Sequence, residues 1–87
     1  MPYVNRDVRN RLDEVLTPLL VRLRGMSNEG LDGAVNYCVT KTIRDLYSGS
    51  YYSLNRAVGV LESVKQEYYR RVVAPYEDVK RMENGDI

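Results

Sequence analysis

Histidine, tryptophan and phenylalanine are absent from this 87-residue sequence, and Cys38 is its only cysteine. Without histidine, the chain lacks the side chain that most often acts as a general base near neutral pH. A single cysteine cannot form an internal disulfide, and no Cys/His set with the spacing of a zinc site exists. These absences predict a protein that is not an enzyme and that binds no cofactor or metal.

Charge of one sign and long apolar runs are also scarce. The net charge is +1, which disfavours a protein that binds duplex nucleic acid. No apolar run approaches the roughly 20 residues of a membrane span, and the N-terminus lacks the apolar region of a signal peptide. The composition is that of an ordinary globular chain, so we expect one cytoplasmic domain over residues 1–87 and no membrane partner.

Apolar residues recur at helical spacing along three segments. The first stripe predicts a helix from Asn5 to Arg24, with a kink or break near Thr17 because Pro18 removes a hydrogen bond. Gly25 is expected to end this helix. A second stripe predicts a helix from Leu31 to Leu46, which stops at the turn-like residues 48–50.

The third stripe predicts a helix that starts near Ser53, a residue suited to the N-cap, and extends to Val72. Pro75 is expected to end or bend this helix. Pro75 also suits the first position of a new short helix, which Asn84-Gly85 would end. No strand-like alternation competes, so the sequence predicts an all-α fold: a small bundle of three main helices plus a short C-terminal helix after Pro75.

Such a small bundle has a thin core, because a domain of this size seldom gains more than about 3–5 kcal/mol from one core. The aromatic residues are eight tyrosines, which suit half-buried positions and interfaces. Gly59 lies in mid-helix, where glycine costs roughly 1 kcal/mol relative to alanine. Close packing within one chain would explain that cost, and so would a subunit contact. We expect a homo-oligomer, with Gly59 as an interface candidate.

The most specific cluster of polar residues lies near the C-terminal end of the third helix. Tyr69, Arg70 and Arg71 are consecutive, and Lys65 lies one turn earlier. Guanidinium groups bind phosphate or carboxylate in two-pronged fashion, and an aromatic ring beside them can stack on a base. These four residues are the predicted ligand-binding site, and a small anionic or nucleotide-type ligand is the predicted occupant.

Two charge blocks offer a structural alternative for the same residues. Residues 65–71 carry a net charge of +2, and residues 77–86 carry −2. The blocks could meet within one chain or between two subunits. The expected interface therefore includes the segment after Pro75, and Tyr76, Glu77 and Asp78 are its candidate residues.

Three stretches of the sequence carry a resemblance to a known family: "MPY", "NYCVTKTI" and the long C-terminal run "LNRAVGVLESVKQEYYRRVVAPYEDVKRMENGDI". They resemble a family of small uncharacterised proteins encoded by bacteriophages and prophages, over nearly the whole chain. The C-terminal run is the distinctive part. The resemblance implies an accessory or host-takeover protein that acts in the cytoplasm of the bacterial host, and it supplies no catalytic residues.

Two classes of function remain open at this point. In the first, the protein is a non-enzymatic helical homo-oligomer that binds a host molecule and sequesters a nucleotide-type defence signal. In the second, it is a structural or interaction protein, such as an assembly factor or an inhibitor that docks on a host or phage protein. The first predicts a preformed pocket lined by Tyr69, Arg70 or Arg71 from more than one subunit, whereas the second predicts an exposed apolar patch and no such pocket.

Overall fold

The computed structural model describes residues 3–86, so the first two residues and the last residue of the expected domain lie outside the described residues. The elements are α1 (Arg6–Arg24), α2 (Asn28–Leu46), α3 (Tyr51–Tyr68), a π-helical turn (Tyr69–Val73) and α4 (Ala74–Asn84). No strand is present in this range. The predicted all-α fold, with three main helices and a short C-terminal helix, is confirmed.

Side-chain caps define the starts of two helices. The Asn5 side chain accepts a hydrogen bond from the Val8 amide at 2.9 Å, which satisfies one of the free N–H groups at the start of α1. At α3 the cap is Ser50, whose hydroxyl oxygen accepts from the Ser53 amide at 3.1 Å. Helix α3 thus starts at Tyr51, two residues before the predicted Ser53, and the prediction that Ser53 is its N-cap is wrong.

Pro18 does not break α1, contrary to one of the two outcomes expected at Thr17. Both Thr17 and Pro18 lie within the continuous helix Arg6–Arg24. A proline inside a helix removes one hydrogen bond, but the turns on either side retain theirs. The helix ends at Gly25, as predicted, where the Gly25 amide donates to the carbonyls of Arg22 and Leu23.

Pro75 does not end the third helical path either. Ala74, directly before it, has helical angles (φ −62°, ψ −44°), and its N–H donates to the Tyr69 carbonyl five residues earlier. Pro75 has no N–H to donate, and the wider π-helical turn accommodates this missing hydrogen bond, so that α3 continues into α4 without a loop. The short helix predicted after Pro75 exists and ends at Asn84, with Gly85 at φ 91°.

The helices enclose very little core. Helices α1 and α2 contact each other, and α3 continues through the π turn into α4. Among the described residues, only Ala57 is buried, at 5% exposure. The radius of gyration is 16.5 Å, against about 12 Å for a compact domain of this length. The single chain is thus elongated and leaves most of its apolar side chains exposed.

Candidate functional site

The π turn determines which side chains meet near the C-terminus. One α-helical turn and the wider π-helical turn together span about eight residues, so residues eight apart here lie on the same side of the helix. Tyr69 and Glu77 have this spacing, and the Tyr69 hydroxyl donates a hydrogen bond to Glu77 Oε1 at 2.6 Å. This bond and the negative charge of Glu77 raise the pKa of Tyr69, because the hydroxyl must keep its proton to donate.

A second cluster joins the N-terminal segment to the end of α3. The Tyr3 hydroxyl lies 2.7 Å from both carboxylate oxygens of Glu67 and accepts a hydrogen bond from Arg70 Nη2 at 3.0 Å. Arg70 also forms an ion pair with Glu67. The Arg71 guanidinium lies 5.8 Å from the centre of the Tyr3 ring, within range of a cation–π contact. We call Tyr3, Glu67, Arg70 and Arg71 the N-terminal clasp.

The electrostatics of the clasp follow from these contacts. The hydrogen bond from Tyr3, together with that from Arg70, lowers the pKa of Glu67. The Glu67 carboxylate in turn raises the pKa of Arg70. The Glu67 side chain is 22% exposed, whereas that of Arg70 is 69% exposed. Arg70 is therefore held at its head by the clasp while much of its length faces solvent.

The predicted ligand-binding residues share one surface only in part. Lys65, Tyr69 and Arg70 line an open groove of about 620 Å³ on α3 and the π turn. Glu62 and Glu67 also line it, so acidic and basic residues are equal in number. Lys65 lies 4.0 Å from Glu62 in an exposed i, i+3 pair. Arg71 does not line the groove and lies over Tyr3 instead.

The candidate interface residues are placed as follows. Apart from its chain neighbours and its own helix backbone, no atom of residues 3–86 lies within 4 Å of a Cβ added at Gly59, so none of these residues requires glycine there. Tyr76 is 62% exposed, and the Lys80 ammonium lies 5.6 Å from its ring centre. Glu77 accepts from Tyr69, and Asp78 lies 3.6 Å from Arg81. Their role in subunit contacts stays a prediction.

The two charge blocks do not pair with each other within the described part of the chain. The ion pairs there join residues of one block or its immediate neighbourhood: Lys65 with Glu62, Arg70 with Glu67, Lys80 with Glu83, and Arg81 with Asp78 and Asp86. Among the described residues, the blocks meet in the hydrogen bond that the Tyr69 hydroxyl donates to the Glu77 carboxylate. Within residues 3–86, Arg71 makes no ion pair.

Sequence reasoning missed two residues of this site, Tyr3 and Glu67. Tyr3 lies 64 positions before Glu67, and no local pattern relates the two. It also missed an open groove of about 700 Å³ along the C-terminal half of α2, lined by residues that include Tyr37, Lys41 and Asp45. Cys38, nearby on the same helix, is half-buried, in keeping with its position on the apolar stripe.

Residues 3–86 contain no group of three or more His, Cys, Asp or Glu side chains placed to hold a metal ion. No helix in the same range combines the length and apolar character needed to cross a membrane.

No curated protein and no solved structure shows significant similarity to this chain. The sequence profile of one family does match, and it spans residues 1–87. This match confirms the part of the expected resemblance that concerns a family of uncharacterised proteins. The chain belongs to the family described as "Domain of unknown function (DUF6899)".

Proposed function

We propose that this protein is a non-enzymatic interaction protein that assembles through its exposed apolar helix faces, first of all with further copies of itself. The observation that carries the proposal is the accessible surface of 8002 Å². A folded monomer of 10.1 kDa is expected to expose about 5300 Å². The chain thus presents about 2700 Å² more than a self-sufficient monomer would.

The excess surface is apolar to a large extent and is organised by helix. Helix α1 exposes one side of its length, and α3 exposes another apolar row that extends into α4. The row on α1 includes Leu12, Leu16, Leu19 and Leu20, and the row on α3 includes Leu54, Val58, Leu61 and Val64. Full burial of an exposed large apolar side chain stabilises by about 1.5–3 kcal/mol. The side chains of these rows are 36–64% exposed, so each would contribute part of that amount when covered, and together they would supply stability that the thin core lacks.

The proposed setting rests on the resemblance to small phage and prophage proteins. An accessory protein of this kind would act in the cytoplasm of the bacterial host. After self-assembly, the apolar surface that remains exposed would dock on a host or phage protein, as an assembly factor or an inhibitor does. Exposed apolar patches of several hundred Å² are typical of protein–protein interaction sites.

The groove that Lys65, Tyr69 and Arg70 line favours a second candidate, the capture of a small anionic nucleotide-type ligand. A ring and two cations are suited to stack a base and hold its phosphate. In the single chain, however, Glu62 and Glu67 balance these cations, and Arg70 is engaged by the clasp. The ligand would need additional positive charge, for which Arg71 from another subunit is a source. The groove therefore ranks below the apolar faces.

Native mass spectrometry of the protein purified from bacteria tests both candidates at once. Self-assembly predicts masses at multiples of the 10.1 kDa chain with no added small molecule. Ligand capture predicts an additional retained mass in the range of a nucleotide, which Arg70→Gln should abolish while Asp78→Asn leaves it unchanged. A monomer of 10.1 kDa at every concentration would contradict the proposal of self-assembly.

A further inference from the structure

The longest-range hydrogen bonds between described side chains start at Tyr3. Its hydroxyl contacts Glu67 and Arg70, which lie 64 and 67 positions later in the sequence. The next longest side-chain hydrogen bond that the described residues form spans eight positions. Residues 3–5 precede α1 and are not helical, and we call this short segment the N-terminal strap. Tyr3 thus ties the strap to the end of α3.

Tyr3 engages both of the guanidinium groups that the sequence assigns to an anionic ligand. Arg70 Nη2 donates to the Tyr3 hydroxyl at 3.0 Å, and the Arg71 guanidinium lies 5.8 Å from the centre of the Tyr3 ring. Two neighbouring guanidinium groups are suited to hold a phosphate group through charge-assisted hydrogen bonds. A phosphate group held by both arginines would therefore displace Tyr3.

The strap can leave this position at small structural cost. Tyr3 is 52% exposed, and the next residue of the strap, Val4, is exposed as well. Within residues 3–86 the buried residue is Ala57, in the middle of α3. Release of Tyr3 therefore breaks the contacts of the clasp without opening a packed core.

Little else in the described chain holds the two arginines. Arg71 makes no ion pair within residues 3–86. Arg70 pairs with Glu67, three residues earlier on the same helix, and the Arg70 side chain is 69% exposed. Exposed ion pairs of this kind are weak, because water and salt screen them. A ligand with several negative charges can therefore compete with the single Glu67 carboxylate for Arg70.

From these contacts we infer that Arg70 and Arg71 form a phosphate-binding site that the N-terminal strap covers, and that Tyr3 must leave before the site is filled. The ligand is a small molecule with several phosphate charges, and a nucleoside polyphosphate is the class that suits the adjoining groove. The Tyr69 ring lines that groove beside Arg70, is 52% exposed and offers a face on which a base can stack.

This inference rests on the ligand-capture candidate and adds to it the regulation of its site. Arg71 of the same chain, once released from Tyr3, is a further source of the positive charge that the groove needs. The apparent Kd for the ligand equals the intrinsic Kd divided by the fraction of molecules in which the strap is open. If Tyr3 is in place in about nine of ten molecules, removing it strengthens binding about tenfold.

Isothermal titration calorimetry with ATP and with inorganic pyrophosphate tests the strap. We expect Tyr3→Ala to bind both probes at least about tenfold more tightly than the wild type. Tyr3→Phe keeps the ring beside Arg71 but frees Arg70 from the hydroxyl, so its gain in affinity should be smaller.

The matched control is Tyr37→Ala. Tyr37 is 63% exposed, and its ring centre lies 5.9 Å from the Lys41 ammonium. This variant removes an equivalent cation–π contact outside the clasp and should bind both probes as the wild type does. A gain equal to that of Tyr3→Ala would show that the effect does not come from the clasp and would overturn the inference.

Second substitutions in the Tyr3→Ala chain locate the gain in affinity. Arg71→Gln should abolish the gain, because it removes the cation that the strap had covered. Glu67→Gln should increase the gain, because the carboxylate that competes for Arg70 becomes a neutral amide. Circular dichroism of each variant checks that the helices are intact, and Tyr3→Phe carries the test if Tyr3→Ala does not fold.

The outcomes separate the strap from the ligand candidate on which it rests. Equal affinity of the wild type and Tyr3→Ala for ATP would overturn the strap and leave ligand capture standing. A gain for ATP without a gain for pyrophosphate, or a gain that survives Arg71→Gln, would overturn the assignment of the phosphate site to the two arginines. Absence of binding by every chain would overturn the strap and ligand capture together, while self-assembly is measured independently by native mass spectrometry.

Discussion

Replacing Gly59 tests whether the space beside the middle of α3 is open, as in the structure of the single chain, or is filled by a second subunit. Gly59 lies in the middle of α3, and beyond the local helix backbone a Cβ added to it would meet no described atom within 4 Å. Glycine in a helix interior costs about 0.5–1 kcal/mol relative to alanine, because it loses more backbone entropy on folding. We therefore expect Gly59→Ala to raise the free energy of unfolding by about 0.5–1 kcal/mol.

The matched control is Gly33→Ala. Gly33 lies inside α2, and a Cβ added there likewise meets nothing within 4 Å in the described part of the chain outside its own helix backbone. Urea unfolding followed by circular dichroism at two protein concentrations gives both free energies, and each gain corresponds to a rise in Tm of a few degrees. If Gly33→Ala stabilises and Gly59→Ala destabilises, a second subunit must approach Gly59 closely. That result would refute the argument from open space and support Gly59 as an interface residue.

Three further predictions concern the contacts around the π turn. Tyr69→Phe removes the donor to Glu77, and because the pKa of Tyr69 is raised in the folded state, the stability advantage of the wild type over this variant should decline as pH rises above about 10. Glu67→Gln should show the opposite pH dependence, because the pKa of Glu67 is lowered on folding. The stability advantage of the wild type over this variant is present at pH 7 and should disappear as pH falls below about 4.5. Acid unfolding curves of the two proteins measure this loss. Pro75→Ala restores the missing amide donor, so we expect the π turn to relax to α-helical geometry, which rotates Glu77 away from Tyr69. Absorbance titration of the tyrosines should then lose the component with the highest pKa. Persistence of that component would contradict the role assigned to Pro75.

The helices could be predicted because apolar residues recur along them at helical spacing. The row on α1 and the capping residue Asn5 mark the start and the exposed face of that helix in the sequence itself. The start of α3 was misplaced because Tyr51 and Tyr52 give no apolar period of their own, although Ser50 is as good a cap as Ser53. Local chemistry thus indicates where helices form better than where they begin.

The N-terminal clasp was not predictable from local pattern. Eight tyrosines compete for any polar partner, and nothing in the sequence singles out Tyr3 for Glu67. Pro75 signalled an irregularity, but a break, a bend and a π-helical turn each accommodate one missing donor. Which of these three forms is adopted depends on whether the rest of the chain favours α4 in line with α3, and the residues next to Pro75 do not determine that. Arg70 consequently lies in a clasp rather than free at the surface.

We propose that further copies of this chain cover its apolar surface. Sedimentation equilibrium of the wild-type protein over a hundredfold range of concentration tests this self-assembly. We expect a molar mass of at least twice the 10.1 kDa chain at micromolar concentration, with dissociation and loss of helical signal together on dilution. A mass of 10.1 kDa throughout, with cooperative unfolding that does not depend on concentration, would contradict it.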